Sequence, residues 1–370
     1  MKVTKIFQEV IIMAEKVKLG IIGTGGISGS HMASYAKNPN VELYAFCDIN
    51  EDVLNAKADQ YGVTRRYTDY NEMLKLEELD AVDICAWNSV HAPAAIAALN
   101  AGKHVFCEKP MASNLADAYK MKEAADKAGK LLMIGFVRRY ANDCKILKDF
   151  IDADSLGEIY YTKANYLRRK GNPGRWFGNK AISGGGPLID LGVHVIDLVR
   201  YLMGNPKPVS VYGATYQKLF DRKNVKGVKA FETMGYVSQG SKDDICDVED
   251  LAVAMVRFDN GAVLNIETSF SLNIKEDKGE IELFGTKGGV NLNPNVEIYT
   301  EMNDYMVNVE MGQGTVQGLT GLWDNEMNHF IDCVQNGVPC KSPAEDGIVI
   351  MQILDAIYRS AEVGHEIEIG

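Results

Sequence analysis

Residues 17–28 read VKLGIIGTGGIS, and the way this stretch folds decides the architecture around it. Val17–Ile22 is a short apolar run of strand type, and Gly23-Thr24-Gly25-Gly26-Ile27-Ser28 follows without a spacer. The helix-like SGSHMASYAKN comes next, so the loop sits between a strand and a helix. That is the setting in which a G-x-G-x-x-G/A motif binds a dinucleotide. Glycines let the backbone approach a pyrophosphate, and the helix N-terminus offers it N–H groups and a favourable dipole. Ser28 takes the third glycine's place and is small enough to keep helix and strand close. Gly23, Thr24, Gly25, Gly26 and Ile27 are therefore candidate cofactor-binding residues.

A second apolar run, Val41–Cys47, ends in Asp48. A carboxylate there can accept hydrogen bonds from the adenosine ribose and repels a 2′-phosphate. No arginine adjoins Asp48-Ile49-Asn50, so NAD is favoured over NADP. The alternation continues with helices over Asp52–Tyr61 and Tyr70–Lys75, a strand over Ala81–Ala86 and a helix over His91–Ala101. A strand over His104–Cys107, a helix over Leu115–Ala128 and a strand over Leu131–Gly135 follow. Such alternation predicts a parallel, doubly wound sheet, whose ligands sit beyond the carboxyl ends of its strands. Trp87, Asn88 and His91 follow one such end, and Glu108-Lys109-Pro110 lies at another, so Trp87, Asn88, His91, Glu108 and Lys109 join the cofactor-side candidates. Lys109 points to where a nicotinamide would lie, placed to polarise or deprotonate a hydroxyl.

Further on, Gly184–Asp197 reads GGGPLIDLGVHVID. Pro187 suits a first helical position, and the pattern to Met203 is helical and almost wholly apolar. Asp190, His194, Asp197 and Tyr201 are spaced four, three and four apart, which puts them on one face of an α-helix. A buried helix carrying a carboxylate and an imidazole one turn apart must satisfy them or use them. Next to a nucleotide loop, Lys109, Asp190 and His194 read as catalytic, with Asp197 supporting or structural.

At 370 residues the chain suits two domains: a nucleotide-binding domain over 17–137 and a substrate and oligomerisation domain over 138–370. Residues 1–16 form an N-terminal extension, of which the first twelve are expected to be dispensable because Met13 offers a second start. A net charge of −11 argues against nucleic acid and anionic membrane surfaces as partners. Seven scattered cysteines without a CxxC read as reduced thiols of a cytoplasmic protein. The histidines show no zinc-type spacing, so no metal is expected. No signal-peptide core and no apolar run of membrane-spanning length is read from the sequence.

Taken together, GTGGIS, the strand ending in Asp48, AWNSVH followed by AGKHVFCEKP, and GGGPLIDLGVHVID resemble the glucose–fructose oxidoreductase/inositol dehydrogenase/rhizopine-catabolism (Gfo/Idh/MocA) family, from about Val17 to the C-terminal helix. The resemblance implies a Rossmann domain followed by an α/β domain with a large open sheet, and oxidation or reduction of a carbinol on a sugar, glycoside or cyclitol with NAD or NADP. Lys109 matches the family's EKP lysine, and Asp190 and His194 match its DxxxH pair. Val137–Tyr140 is similar to a segment of inositol dehydrogenases. Arg168–Phe177 with GGGP looks more like glycoside 3-dehydrogenase-type members.

In the second half, Glu158–Asn165 alternates as a strand, and Arg168–Lys180 is a basic loop around Trp176. Arg138, Tyr166, Arg168 and Trp176, with Asp190 and His194, are the candidate substrate contacts. Seven further β-like runs between Val209 and Glu310 suit an open, mainly antiparallel sheet with one face on helices. Its other face suits a second copy, so a homo-oligomer (a dimer, tetramer or larger) is expected. Leu322–Asn336 and Asp346–Glu362 read as packing helices, the last returning to the Rossmann domain. Lys218–Gln239 reads as an insertion over the site. The reaction expected is reversible hydride transfer, with oxidation at C3 of a glucoside or sugar as the specific reading. Inositol oxidation, a redox-neutral NAD-using epimerase, lyase or glycosidase, and a non-enzymatic nucleotide sensor stand as alternatives.

Overall fold

The computed structural model describes residues 15–219, 222, 232–233, 236–237, 245–292, 295–315 and 318–370. The N-terminal extension up to residue 14 and most of the expected Lys218–Gln239 insertion lie outside these residues. Six strands, β1 (Val17–Ile22), β2 (Val41–Cys47), β3 (Arg65–Tyr67), β4 (Ala81–Ile84), β5 (His104–Glu108) and β6 (Leu132–Gly135), form an all-parallel sheet. Their order is β3-β2-β1-β4-β5-β6. Strand order therefore reverses between β1 and β4, and the crevice outside their carboxyl ends is the ligand position of such sheets. The short edge strand β3 is largely exposed, which left no apolar run to mark it in the sequence.

The second half supplies β7 (Ile159–Leu167), β8 (Pro208–Tyr216), a ribbon of β9 (Glu232–Thr233) and β10 (Tyr236–Val237), then β11 (Leu251–Phe258) and β12 (Val263–Ser269). It continues with β13 (Lys278–Gly285), β14 (Gly288–Leu292), β15 (Val296–Met302), β16 (Tyr305–Glu310) and β17 (Ile367–Glu368). Nine of these form one open sheet in the order β16-β15-β14-β13-β7-β12-β11-β8-β17. All its pairs are antiparallel except β7 with β12. One face buries Thr162, Ala164, Ala252, Ala254, Leu264 and Ile266, and helix Val193–Leu202 packs near β7 and β13. On the other face Met255 pairs with Tyr212 across β11 and β8, and the two side chains are 49% and 55% exposed.

Both C-terminal helices, not only the last, reach the nucleotide-binding half. Leu322–Asn336 seats Phe330 edge-on against Phe106 of β5, and Ser34 Oγ donates to Asp324 at 2.6 Å. Ala344–Val363 lies against helix Leu115–Ala128 and β8, and its entry is pinned where Ile134 N–H donates to the Ser342 carbonyl. The stretch Lys180–Leu202 is long and apolar enough to cross a membrane by length and composition, contrary to the sequence expectation. Its most apolar window is 78% buried inside the fold, where those side chains form core.

Candidate active site

The glycine loop is shaped by two opposite needs. Gly23 has φ +89°, and a Cβ there would lie 2.7 Å from the Cys85 carbonyl oxygen, so only glycine lets β1 turn this close to β4. At Gly25 and Gly26 an added Cβ would meet nothing within 4 Å. That open space lies just before helix Ser28–Tyr35, where a phosphate is favoured. Ile27 is that helix's N-cap residue, and Ser28 Oγ donates to the Gly25 carbonyl at 2.7 Å. Asp48 fastens the loop: its Oδ2 accepts from Thr24 N–H at 2.7 Å and Oγ1 at 3.1 Å, and its Oδ1 accepts from Asn50 N–H. The cradle and its acidic neighbour fit a dinucleotide.

Two of the expected cofactor contacts brace the fold. Asn88 is buried and its Nδ2 donates to the Ser183 carbonyl at 2.7 Å, joining the two halves. His91 is buried with Nδ1 2.7 Å from the Pro110 carbonyl and Nε2 3.1 Å from that of Ala86. It ties the ends of β4 and β5 together, and burial lowers its pKa. Trp87, which precedes helix Asn88–Asn100, remains 42% exposed.

At the end of β5 the Lys109–Pro110 peptide is cis. Lys109 Nζ donates to Asp190 twice, to Oδ1 at 2.9 Å and to the carbonyl at 3.1 Å. Its N–H donates to Glu108 Oε2 at 3.0 Å. Burial pushes the Asp190 carboxyl up, but the charges of Lys109 and Arg168 and the Lys109 hydrogen bond outweigh it, so its pKa lies below the usual carboxylate value. At His194, burial and then the Lys109 charge lower the pKa to about 3, against the pull of Asp190 and Glu108. The imidazole is neutral beside a cation, with its ring nitrogens unpaired among the described residues. Lys109, Asp190 and His194 thus form one electrostatic unit, drawn from a Rossmann strand end and from the helix of the second half.

That helix departs from the regular spacing expected of it. Leu188–Gly192 forms a wide π-type turn, and the α-helix proper runs Val193–Leu202. The wider turn adds a residue, so Asp190 lies outside the α-helix on which His194, Asp197 and Tyr201 keep their shared face. Asp190 and His194 are half-buried, whereas Asp197 is fully buried in an ion network. Arg139 Nη2 and Nε donate to Asp197 at 2.6 and 2.9 Å, Arg139 Nη1 donates to Asp346 at 2.8 Å, and Arg200 Nη1 donates to Asp346 at 2.7 Å. The Arg139 guanidinium also lies 4.7 Å from the Tyr201 ring. Asp197 therefore locks the site helix to the last helix.

The glycines before the turn are there for close approach. A Cβ on Gly185 would lie 2.0 Å from Tyr358 Oη, and one on Gly186 would lie 2.4 Å from the Glu249 carbonyl oxygen. Glu249, missed in the sequence, supplies what the helix start lacks: it accepts from Gly186 N–H at 3.0 Å, Leu188 N–H at 3.1 Å and Tyr358 Oη at 2.9 Å. Its only sequence signal is a place in an acidic run before a strand, which reads as solvated surface.

Of the expected substrate contacts, Arg138 is an electrostatic neighbour of His194 and Arg168 of Asp190. Arg168 is buried, with Nη1 on the Gly171 carbonyl and its guanidinium 5.2 Å from the half-buried Tyr166 ring. Trp176 stacks on Phe177 at 4.0 Å between centroids. Two His/Cys groups bring their ligand atoms within 4.8 Å, His329/Cys333/Cys340 and His31/Asp83/Cys85. Spacing along the chain did not reveal either, because the loop after residue 336 and strand β4 bring the members together.

Comparison with known proteins matches residues 17–136 to the model of an oxidoreductase family's NAD-binding Rossmann fold and residues 148–369 to the same family's C-terminal alpha/beta domain. The chain is 35% identical to D-glucoside 3-dehydrogenase of Escherichia coli over 357 residues, 95% of this chain and 97% of that protein. It is 29% identical to myo-inositol 2-dehydrogenase of Thermotoga maritima, covering 94% and 96%. Among solved structures, levoglucosan dehydrogenase in complex with NADH and levoglucosan superposes with a TM-score of 0.82 at 24% identity, covering 96% of this chain and 100% of that one.

Proposed function

Because the chain belongs to the Gfo/Idh/MocA family of oxidoreductases, we propose that it oxidises a carbinol on a glycoside, sugar or cyclitol with NAD, specifically at C3 of a glucoside. The observation that carries this reading is the Lys109–Asp190 contact with a neutral His194 beside it. The likeness to D-glucoside 3-dehydrogenase over nearly the whole chain supports the choice of substrate and position.

Residues Gly23–Ser28, Asp48, Trp87 and the backbone at Glu108-Lys109 would hold the dinucleotide. When bound it supplies a hydride acceptor. As hydride leaves, the carbinol hydroxyl becomes strongly acidic and its proton departs in step, so even an imidazole of depressed pKa can take it. His194 is that base. The Lys109 ammonium stabilises the partial negative charge that this oxygen gains as the proton departs, and Asp190 fixes the ammonium's direction. Arg138, Tyr166, Arg168 and Trp176 border the substrate. Asp48 supports NAD over NADP because its carboxylate opposes a 2′-phosphate. The exposed Tyr212–Met255 face supports a homo-oligomer, and the free thiols support a cytoplasmic setting. Residues 17–137 serve the cofactor and 138–370 the substrate and assembly.

The test mixes protein and NAD with a panel of glucosides, free sugars and inositols and follows nicotinamide absorbance, with Lys109→Ala and His194→Ala alongside. Reduction by a glucoside that yields the 3-keto product, abolished in both variants, is the expected result. Reduction only by an inositol replaces the substrate. Sugar conversion without net reduction replaces the reaction.

A further inference from the structure

Behind the crevice lies a buried polar cluster that the reaction above does not use. His31, on helix Ser28–Tyr35, and Asp83, on β4, are each fully buried. His31 Nδ1 is 2.9 Å from Asp83 Oδ2, and its Nε2 is 3.2 Å from Glu108 Oε1. Nδ1 is hydrogen-bonded to Asp83, while Nε2 lies at ion-pair distance from Glu108 without hydrogen-bond alignment. An imidazolium is attracted to both carboxylates at these distances, whereas a neutral ring would turn a lone pair toward one of them. Cys85 Sγ donates to Asp83 Oδ1 at 3.2 Å and lies 3.3 Å from His31 Nδ1, and the Phe106 ring closes the ring face edge-on. Tyr35 and Glu326 complete the surroundings. Glu326 is fully buried with both oxygens unpartnered among the described residues, and burial raises its pKa well above the usual value.

Glu108 carries this contact forward. One of its oxygens faces His31, and the other accepts the N–H of Lys109. An uncompensated buried carboxylate would take a proton or move; the first change would weaken its hold on that N–H and the second would release it. We infer that His31 is a positioning residue for the hydride-transfer site: it holds Glu108, and Glu108 holds the backbone from which Lys109 reaches Asp190. The inference rests on the proposed role of Lys109 at the carbinol. It also links the two ends of the reaction, since His31 belongs to the helix whose N-terminus faces the dinucleotide loop.

The experiment compares wild type with His31→Leu, Glu108→Gln and the double variant, using the best substrate of wild type. His31→Leu is expected to lower kcat by about 10- to 100-fold, the scale of a small misplacement of a catalytic group, with KM and NADH affinity changed by less than about threefold. The two losses are expected not to multiply: the double variant should be no slower than about Glu108→Gln alone, because no unpaired carboxylate remains. Losses that multiply, or a His31→Leu kcat within about threefold of wild type, would overturn the positioning role while leaving the dehydrogenase intact. An inactive wild type would sink the reaction instead. A crystal structure of His31→Leu, or of the milder His31→Gln if the first does not fold, decides independently of turnover. Lys109 Nζ is expected to leave Asp190, and an unmoved Lys109 rejects the inference.

Discussion

Lys109 Nζ donates to Asp190 through both the carboxylate and the carbonyl of that one residue, at 2.9 and 3.1 Å. The contact crosses from the end of a Rossmann strand to the helix of the second half, so it fixes the ammonium in direction as well as in place. Lys109→Met should lower kcat by about 100- to 10,000-fold, the range for a positioned acid–base group. It should also raise the Asp190 pKa, since burial would then lack its main opponent. Steady-state kinetics and a carboxyl titration by NMR check the two halves of this prediction.

His194 gives a signed pH effect. Its pKa in the folded chain is about 3, below the ordinary value of about 6.5, so the unfolded chain binds more protons between those limits. The stability this group contributes is complete above about pH 6.5 and is lost as pH falls toward about 3, at no more than ~1.4 kcal/mol per pH unit. Urea midpoints at about pH 7.5 and about pH 5 should therefore fall further for wild type than for His194→Asn. Equal falls would show that the imidazole titrates normally.

Asp48 fastens the loop, and under the proposed preference for NAD it is also a guard against a 2′-phosphate. Asp48→Ser should move the ratio of kcat/KM for NAD over that for NADP toward NADP by at least about tenfold, in keeping with a loss of ~1.4 kcal/mol of discrimination. Thr24 loses an acceptor in the same variant, so the absolute kcat/KM with NAD should fall too. An unchanged ratio would assign Asp48 to the loop alone.

Asp197 predicts a different phenotype from its neighbours on the same helix. It and Arg139 are buried and bonded at two points, and removing one member of such a pair costs about 3–5 kcal/mol. Asp197→Ala should lower the denaturation midpoint strongly, while kcat per folded molecule falls far less than in His194→Ala. Denaturant titration together with active-site counting separates these effects.

Much of the nucleotide half was legible because its signals are local. The glycine loop lies between an apolar run and a helical one, and Asp48 and Lys109 stand directly at strand ends. The DxxxH helix was legible as a helix, but its π-type turn was not, since apolar periodicity does not register one additional residue in a buried segment. The carbonyl partners of Asn88 and His91 were not legible, because sequence shows where a side chain starts and not which carbonyl it meets. Glu249 and His31 were illegible for a related reason. Each is defined by partners 61 to 63 and 52 to 77 residues away.

The wide turn at Leu188–Gly192 makes the site sensitive to chain length in a way that side-chain replacement would never show. Removing one residue between Asp190 and His194 would let the backbone close into a regular α-helix and reduce their separation from four residues to three. Both side chains would stay on one face, but their offset along the axis would shrink by about 1.5 Å, which changes how the pair meets Lys109. The additional residue in that turn thus sets the spacing of the side chains that face Lys109.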